Sequence, residues 1–420
     1  MTKLLSWTLV LMLILSAMVS PIKIALTPMN NPNSSEPWAM FRHDPRHTGA
    51  STSEAPDRLN VTAGLIWTNT TGRIGYSSCA VANGTVFIGS KDRWVYAFNE
   101  TTGHLIWKNQ TGGIIESSPA VSNGKVFIGS EDGKVYALNA ATGEIIGDPL
   151  LIGPHVYSSP TVDDSTVFIG SYNGTVYALD ENLQVKWKNY TGSSIYSSPA
   201  VADGMVFIGC LLGKVYAFSE TNGEIVWSNQ TTGQIGYSSP TVLGKRVFIG
   251  SRDGWIYAFN ETTGHLIWKN QTGGIIESSP AVACGRVFIG SEDNKTYAFN
   301  ETTGHLLWCY ETGGYVHSSP AVANGKVFVA SNDGYLYALN ATTTKPEGDL
   351  IWKCKTDGKI DSSPAVADGM VFIGSDKVYA FGPNNPPIAD FDYWPEEPEV
   401  DEEITFDASN SSDPDEPVDK

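Results

Sequence analysis

The chain has 420 residues, 41% of them apolar and 17% charged, with 42 glycines. That is enough apolar material for a large core, so disorder is not the expectation for the chain as a whole, and the Gly, Trp and Tyr content suits short strands and tight turns rather than helices. The formal net charge of −18 repels phosphate backbones, which argues against nucleic acid as a partner and favours solubility.

At the N-terminus Lys3 precedes an apolar run from Leu4 to Val19, followed by Pro21. The run is short for a bilayer span and fits the core of a signal peptide, assigned to residues 1–27, with an uncleaved anchor as the alternative. No cysteine precedes Cys79, so a lipoprotein-type anchor has no attachment point. Asn-x-Ser/Thr acceptors recur from Asn33 to Asn410. They support export with glycosylation at some sites, although the same tripeptide is good turn chemistry. The expected location is secreted, extracellular or on the cell surface. Membrane association is expected only through an uncleaved N-terminal segment or a part beyond residue 420.

Next comes the segment Trp38 to Gly49. Its His43, Asp44 and His47 suggest a metal site, but a structural lead-in packed under or beside the main domain is the preferred reading, and no metal is predicted. Gly64-Leu65-Ile66-Trp67 then reads as a lone strand.

The sequence Ser-Ser-x-[Ala/Thr]-Val follows at Ser77, Ser117, Ser158, Ser197, Ser238, Ser278, Ser318 and Ser362. A period of about forty residues is that of a propeller or solenoid. In one unit, Asn123-Gly124 is a type I′ hairpin signal before the strand at 125–130. Asp132-Gly133 turns into the strand at 134–139, and Ala141-Thr142-Gly143 leads to a fourth strand beginning at Glu144–Ile146. Four short antiparallel strands per repeat make one propeller blade. The last repeat, 361–381, has three strands, and the lone strand at 64–67 supplies the missing one. The fold expected over residues 37–382 is therefore all-β, an eight-bladed β-propeller of four-stranded antiparallel blades closed by the N-terminal strand.

The fourth strand usually ends in Trp, as in A-F-N-E-T-T-G-H-L-I-W from Ala97 to Trp107. The pattern returns at 217–227, 258–268 and 298–308, one residue shorter at 178–187, and with an insertion at 338–352. It resembles the tryptophan-docking motif, A-x-[DN]-x-x-[TD]-G-x-x-x-W, of PQQ-repeat (quinoprotein-type) propellers. The resemblance implies that Trp67, Trp107, Trp187, Trp227, Trp268, Trp308 and Trp352 dock neighbouring blades. Gly147 stands where an indole is expected, so that blade should dock less well or be covered by something else.

After residue 382 the tail, 383–420, runs through Asn384-Asn385-Pro386-Pro387 to Ile388-Ala389-Asp390-Phe391 and an alternating stretch, Val400–Phe406. It resembles the start of a PKD domain, an immunoglobulin-like sandwich. About 35 residues cannot make that sandwich, so the expectation is a chain cut at Lys420 or a disordered tail.

Candidate chemistry lies at the axis. The first strand of each blade lines the central channel, and the residue before Ser-Ser faces it. Around the ring that residue is Tyr76, Glu116, Tyr157, Tyr196, Tyr237, Glu277, His317 and Asp361, the least uniform column of the repeat and the candidate ligand-binding set. Glu277, His317 and Asp361 stand on consecutive blades, where they hold a cation or basic group or simply line a wet channel. The tyrosines either stack on a sugar or planar ligand or pack the axis.

The family resemblance also implies an enzyme alternative, a PQQ-dependent oxidoreductase with calcium. Such enzymes place a vicinal Cys pair over the quinone, and no such pair occurs here. Cys79, Cys210, Cys284, Cys309 and Cys354 have neither zinc nor haem spacing and read as mostly buried small residues. No catalytic residue and no cofactor are predicted. Residues 98–131 and 259–292 are nearly identical, which suits interchangeable binding units more than an asymmetric active site. The reading is an exported, monomeric propeller acting as a binding or scaffold module for protein or carbohydrate partners. The quinoprotein dehydrogenase and a lectin-like sugar binder are the alternatives.

Overall fold

Asn123 and Gly124 take φ of 48° and 71°, the type I′ geometry whose twist joins antiparallel strands without splaying them. This turn links a short inner strand, Ala120–Ser122, to Lys125–Gly129, and the next turn leads into Lys134–Asn139. The same inner-to-outer order recurs in eight sheets, so the expected eight blades are present. The computed structural model describes residues 37–56 and 64–382, with the backbone of 392–394 and 405–407. The segment 1–27, expected to be a signal peptide, lies outside these residues. Among the described residues there is no helix. We number the blades 1 to 8 by their inner strands: Ala80–Ala82, Ala120–Ser122, Thr161–Asp163, Ala200–Ala202, Thr241–Leu243, Ala281–Ala283, Ala321–Ala323 and Ala365–Ala367.

The ring closes as expected. Leu65–Asn69 pairs antiparallel with Val378–Phe381 and sets Trp67 opposite Ala380, so the last blade gains its outer strand. A parallel strand, Ala50–Ser51, also lies against the inner strand of blade 7. In the tail, Asp392–Trp394 pairs with Thr405–Asp407, and the rest of the segment expected to begin a PKD domain lies outside the described residues.

Two hydrogen bonds per blade account for the Ser-Ser signature. The first serine accepts a backbone N–H from the second strand of its own blade, as Ser77 Oγ does from Gly89 at 2.9 Å. The second serine accepts from the preceding blade. Ser78 N–H donates to Ser118 Oγ, Ser118 N–H to Ser159 Oγ, and so on until Ser363 N–H donates to Ser78 Oγ, each at 2.8 or 2.9 Å. This buried, closed ring satisfies groups that would otherwise cost about 1–3 kcal/mol each.

The segment from Trp38 to Gly49 is the expected structural lead-in. It passes the free edges of the inner strands in turn. Val81, Val121, Val201, Val242, Val282 and Val322 donate their N–H groups to the carbonyls of Trp38, Ala39, Pro45, Arg46, Thr48 and Gly49, at 2.7–2.9 Å. The buried Arg42 guanidinium donates to the carbonyls of Pro280 and Pro320, bridging blades 6 and 7. His47 hydrogen-bonds Thr161 Oγ1 at 2.9 Å, and Asp44 accepts the Thr48 N–H at 3.1 Å.

Five indoles dock by one rule. Trp67, Trp107, Trp187, Trp227 and Trp268 each donate Nε1–H to a carbonyl in the outer turn of the next blade, at 2.7–3.0 Å. Each ring lies over the glycine of that turn, so a methyl on Gly264 would sit 2.6 Å from the Trp227 ring. The Asn two residues beyond each indole (Asn69, Asn109, Asn189, Asn229 and Asn270) donates to the same glycine's carbonyl at 2.6–2.8 Å. These Asn-x-Thr tripeptides thus serve the docking turn. Trp308 and Trp352 depart from the rule. The insertion in blade 7 reshapes its outer turn, leaving the buried Trp308 Nε1 without a hydrogen-bond partner, while Trp352 donates to Pro56 at 3.3 Å.

Blade 2, with Gly147 in place of Trp, is covered by its neighbour. The fourth strand does not begin at Glu144–Ile146 as the repeat predicts. Ile145 makes only an isolated bridge to Leu138, and the outer strand is Leu150–Leu151, paired with Lys134 and Val135. In blade 3 the docking glycine is replaced by Leu183, which sits at φ 61° and is 2% exposed. It packs with Ile146, Leu150 and Ile152, filling the space an indole occupies elsewhere. The cysteines also differ from expectation, because only Cys79 and Cys210 are buried and Cys284 is exposed. Cys284 occupies a hairpin turn at φ 53°, which projects it outward.

Candidate functional site

The serine ring fixes the backbone just after the variable column, and the column side chains therefore converge on the axis. Tyr76, Glu116, Tyr157, Tyr196, Tyr237, Glu277, His317 and Asp361 all line one axial cavity, together with Phe41 from the lead-in and second serines such as Ser118 and Ser319. The cavity measures about 30 Å³, room for a water or two.

The tyrosines account for its size. Tyr76 and Tyr237 come from opposite blades and stack with centroids 4.3 Å apart. Tyr157 and Tyr196 stack at 4.9 Å, and Tyr196 meets Tyr237 edge-on at 5.0 Å. Ring faces that a planar ligand would use are thus applied to one another. Burial, reinforced by the nearby carboxylates, raises the phenol pKa of Tyr76 and of Tyr237, so both rings stay neutral.

The charged members of the column have partners of their own. Glu116 pairs with Lys91 at 2.9 Å and accepts the Tyr237 hydroxyl at 3.3 Å. Glu277 binds Arg252 at 2.6 Å and accepts the Tyr237 backbone N–H at 2.9 Å. His317 lies between Asp361 and Glu292, 3.1 Å from each. Burial alone would lower its pKa, but the hydrogen bond and charge of Asp361, joined by Glu292, outweigh burial and raise it. Burial likewise opposes the charge of Asp361, and the bond to His317 prevails and lowers its pKa. The trio Glu277, His317 and Asp361 is therefore split, with His317 and Asp361 together and Glu277 committed to Arg252. Among the described residues no group of three His, Cys, Asp or Glu side chains is arranged to hold a metal ion.

A second column escaped the sequence reading. Lys91, Arg252 and Glu292 follow the Gly-Ser that ends the second strand, and each reaches the axial residue of the next blade. Tyr172 does the same against Tyr196, edge-on at 5.6 Å. The available signal was charge complementarity at a separation of 25 residues, present in Arg252 with Glu277 and in Glu292 with His317.

The same architecture occurs in solved structures. BamB from Moraxella catarrhalis is 20% identical, over 75% of this chain and 100% of that one, with a TM-score of 0.64. The computationally designed Ika8 protein is 16% identical over 76% and 99%, with a TM-score of 0.66. Quinohemoprotein alcohol dehydrogenase from Comamonas testosteroni is 14% identical over 83% and 80%, with a TM-score of 0.71. At these identities the likeness is one of fold. Among curated proteins none matches the chain. A family model described as outer membrane protein assembly factor BamB matches residues 57–146, 152–254, 212–340 and 311–382, nearly the whole ring. With its repeats and its docking indoles alike, the chain belongs to this PQQ_2 family.

Proposed function

We propose that the protein is an exported, non-enzymatic propeller that binds protein partners on its outer surface. One observation carries this reading: the axis is filled by the protein's own tyrosines. Sites for small organic ligands measure roughly 300–1,000 Å³. A tricyclic quinone with calcium does not fit a cavity of about 30 Å³ whose carboxylates already hold Lys91, Arg252 and His317. The lectin-like alternative is weakened by the same stacking, which applies one face of each of these four rings to a neighbouring tyrosine.

Surface features support a protein partner. The outer strands carry adjacent exposed apolar residues, including Leu105 with Ile106, Ile225 with Val226, Leu266 with Ile267 and Leu350 with Ile351. Each pair stands on the last strand of its sheet, where a free edge can accept an added strand. The assembly role in the description of the matching family model points the same way. The N-terminal segment that reads as a signal peptide supports a secreted or cell-surface location.

The test is a titration with PQQ at constant calcium, read by Trp fluorescence and by melting temperature. The expected result is no saturable change. Tight binding with stabilisation would overturn the proposal and call for assays of alcohol and sugar oxidation.

A further inference from the structure

Two junctions between neighbouring blades, half a ring apart, carry the same pair of acids. Where blades 4 and 5 meet, the carboxyl of Asp203 lies within hydrogen-bonding reach of Glu261. Where blades 8 and 1 meet, Asp368 stands in the same relation to Glu100. The two aspartates occupy identical turns, Ala-Asp-Gly-Met, at φ of 49° and 47°. Both glutamates are buried, Glu261 at 2% and Glu100 at 4% exposure. Each is held by matching backbone bonds. Glu261 N–H donates to Lys245 and Glu100 N–H to Gly84, and the glutamate carbonyls accept the indoles of Trp227 and Trp67.

The junctions differ in one respect. Between blades 4 and 5, the Lys245 ammonium contacts Asp203 and lies 3.8 Å from Glu261 Oε1, with Arg46 3.6 Å from Asp203. Between blades 8 and 1, the position of Lys245 is taken by Gly84. Glu100 Oε1 is buried there without a hydrogen-bond partner, as Glu261 Oε1 is at the other junction, but no ammonium stands where Lys245 lies 3.8 Å from Glu261. Burial, and then the charge and hydrogen bond of Asp368, push the Glu100 carboxyl up to about 7, with no cation acting against them. Other junctions are not in this state. Glu181 is taken by Asn123 and Lys125, and Glu220, opposite Asp164, is half-exposed with Lys186 nearby.

We propose that the junction of blades 8 and 1 binds a hard divalent cation, with calcium as its type, where the Lys245 ammonium stands at the opposite junction. The protein donors are carboxylate oxygens of Glu100 and Asp368, a set that favours a hard ion over a soft one. Water completes the coordination. With so few protein ligands the affinity falls in the weak class, dissociation constants of roughly 10⁻⁴–10⁻³ M, typical of extracellular modules. The ion braces the first blade against the last, where the ring closes.

The experiment uses the full chain, with equilibrium dialysis against calcium and melts in calcium or chelator. Wild type is expected to melt roughly 2 °C higher in about 10 mM calcium than in chelator. Asp368→Asn loses that shift. Gly84→Lys supplies the ammonium from the chain itself. Its site is open and its φ of +71° is close to the 61° of Lys245. This variant is expected to bind one calcium fewer, to melt higher than wild type in chelator and to ignore calcium. Retention of the calcium shift and stoichiometry in both variants would overturn the proposal. So would a wild type whose melting temperature and dialysis are both indifferent to calcium. If Gly84→Lys does not fold, Asp368→Asn decides alone.

Discussion

Gly264 and Gly325 both stand at φ +70°, so alanine incurs the same backbone penalty at each, about 1 kcal/mol. Their surroundings differ. A methyl on Gly325 meets nothing within 4 Å, whereas one on Gly264 falls 2.6 Å from the Trp227 ring. That ring has little freedom to move. It is 8% exposed, lies 5.9 Å from Phe207 and 6.4 Å from Phe259, and is tied to the Glu261 carbonyl at 2.7 Å. Forcing a methyl against such a group adds about 1–3 kcal/mol. Gly264→Ala should therefore cost about 2 kcal/mol more than Gly325→Ala, measured by equilibrium urea unfolding. In a Trp227→Ala background the excess should vanish, since the cycle isolates the contact. Equal costs in the wild-type background, or an excess that survives removal of the indole, would refute the docking argument.

Ser239→Ala removes the acceptor of the buried Ser198 N–H and should cost about 1–3 kcal/mol. Amide exchange at Ser198 should accelerate, and unchanged exchange would show that the serine ring does not carry the load assigned to it. Acid stability should depend on His47. Burial first, and then the Arg42 charge, lower its pKa from 6.5 to about 3. The unfolded imidazole takes a proton below its ordinary pKa and the folded one does not. Stability is therefore lost as pH falls through that window, by at most about 1.4 kcal/mol per pH unit. His47→Gln should flatten this limb of the melting-temperature profile, and an unaltered slope would assign the acid loss to other groups.

The propeller was legible because its signals are short-ranged. Type I′ turns, alternating strands and the forty-residue period all arise within one repeat, and the closing strand at Leu65–Asn69 could be assigned by asking which repeat lacked a partner. The eight axial residues were legible as a variable column beside a constant Ser-Ser. Their partners Lys91, Arg252 and Glu292 were missed because each acts on the next blade and not on its own. Leu183 was missed for the same reason. It reads as an irregular turn residue until the absent indole at Gly147 is seen to leave space above it.

By itself, then, the sequence determined the blades, their number, the closure of the ring and the identity of the residues facing the axis, since each depends on contacts within a repeat or between its two ends. Whether those eight side chains surround a pocket or fill it was decided by the tertiary structure. Tyr76 and Tyr237 belong to opposite blades and touch only because the assembled ring brings their rings to 4.3 Å. Each repeat supplies one side chain to the axis, and the volume left there depends on how side chains from all eight meet.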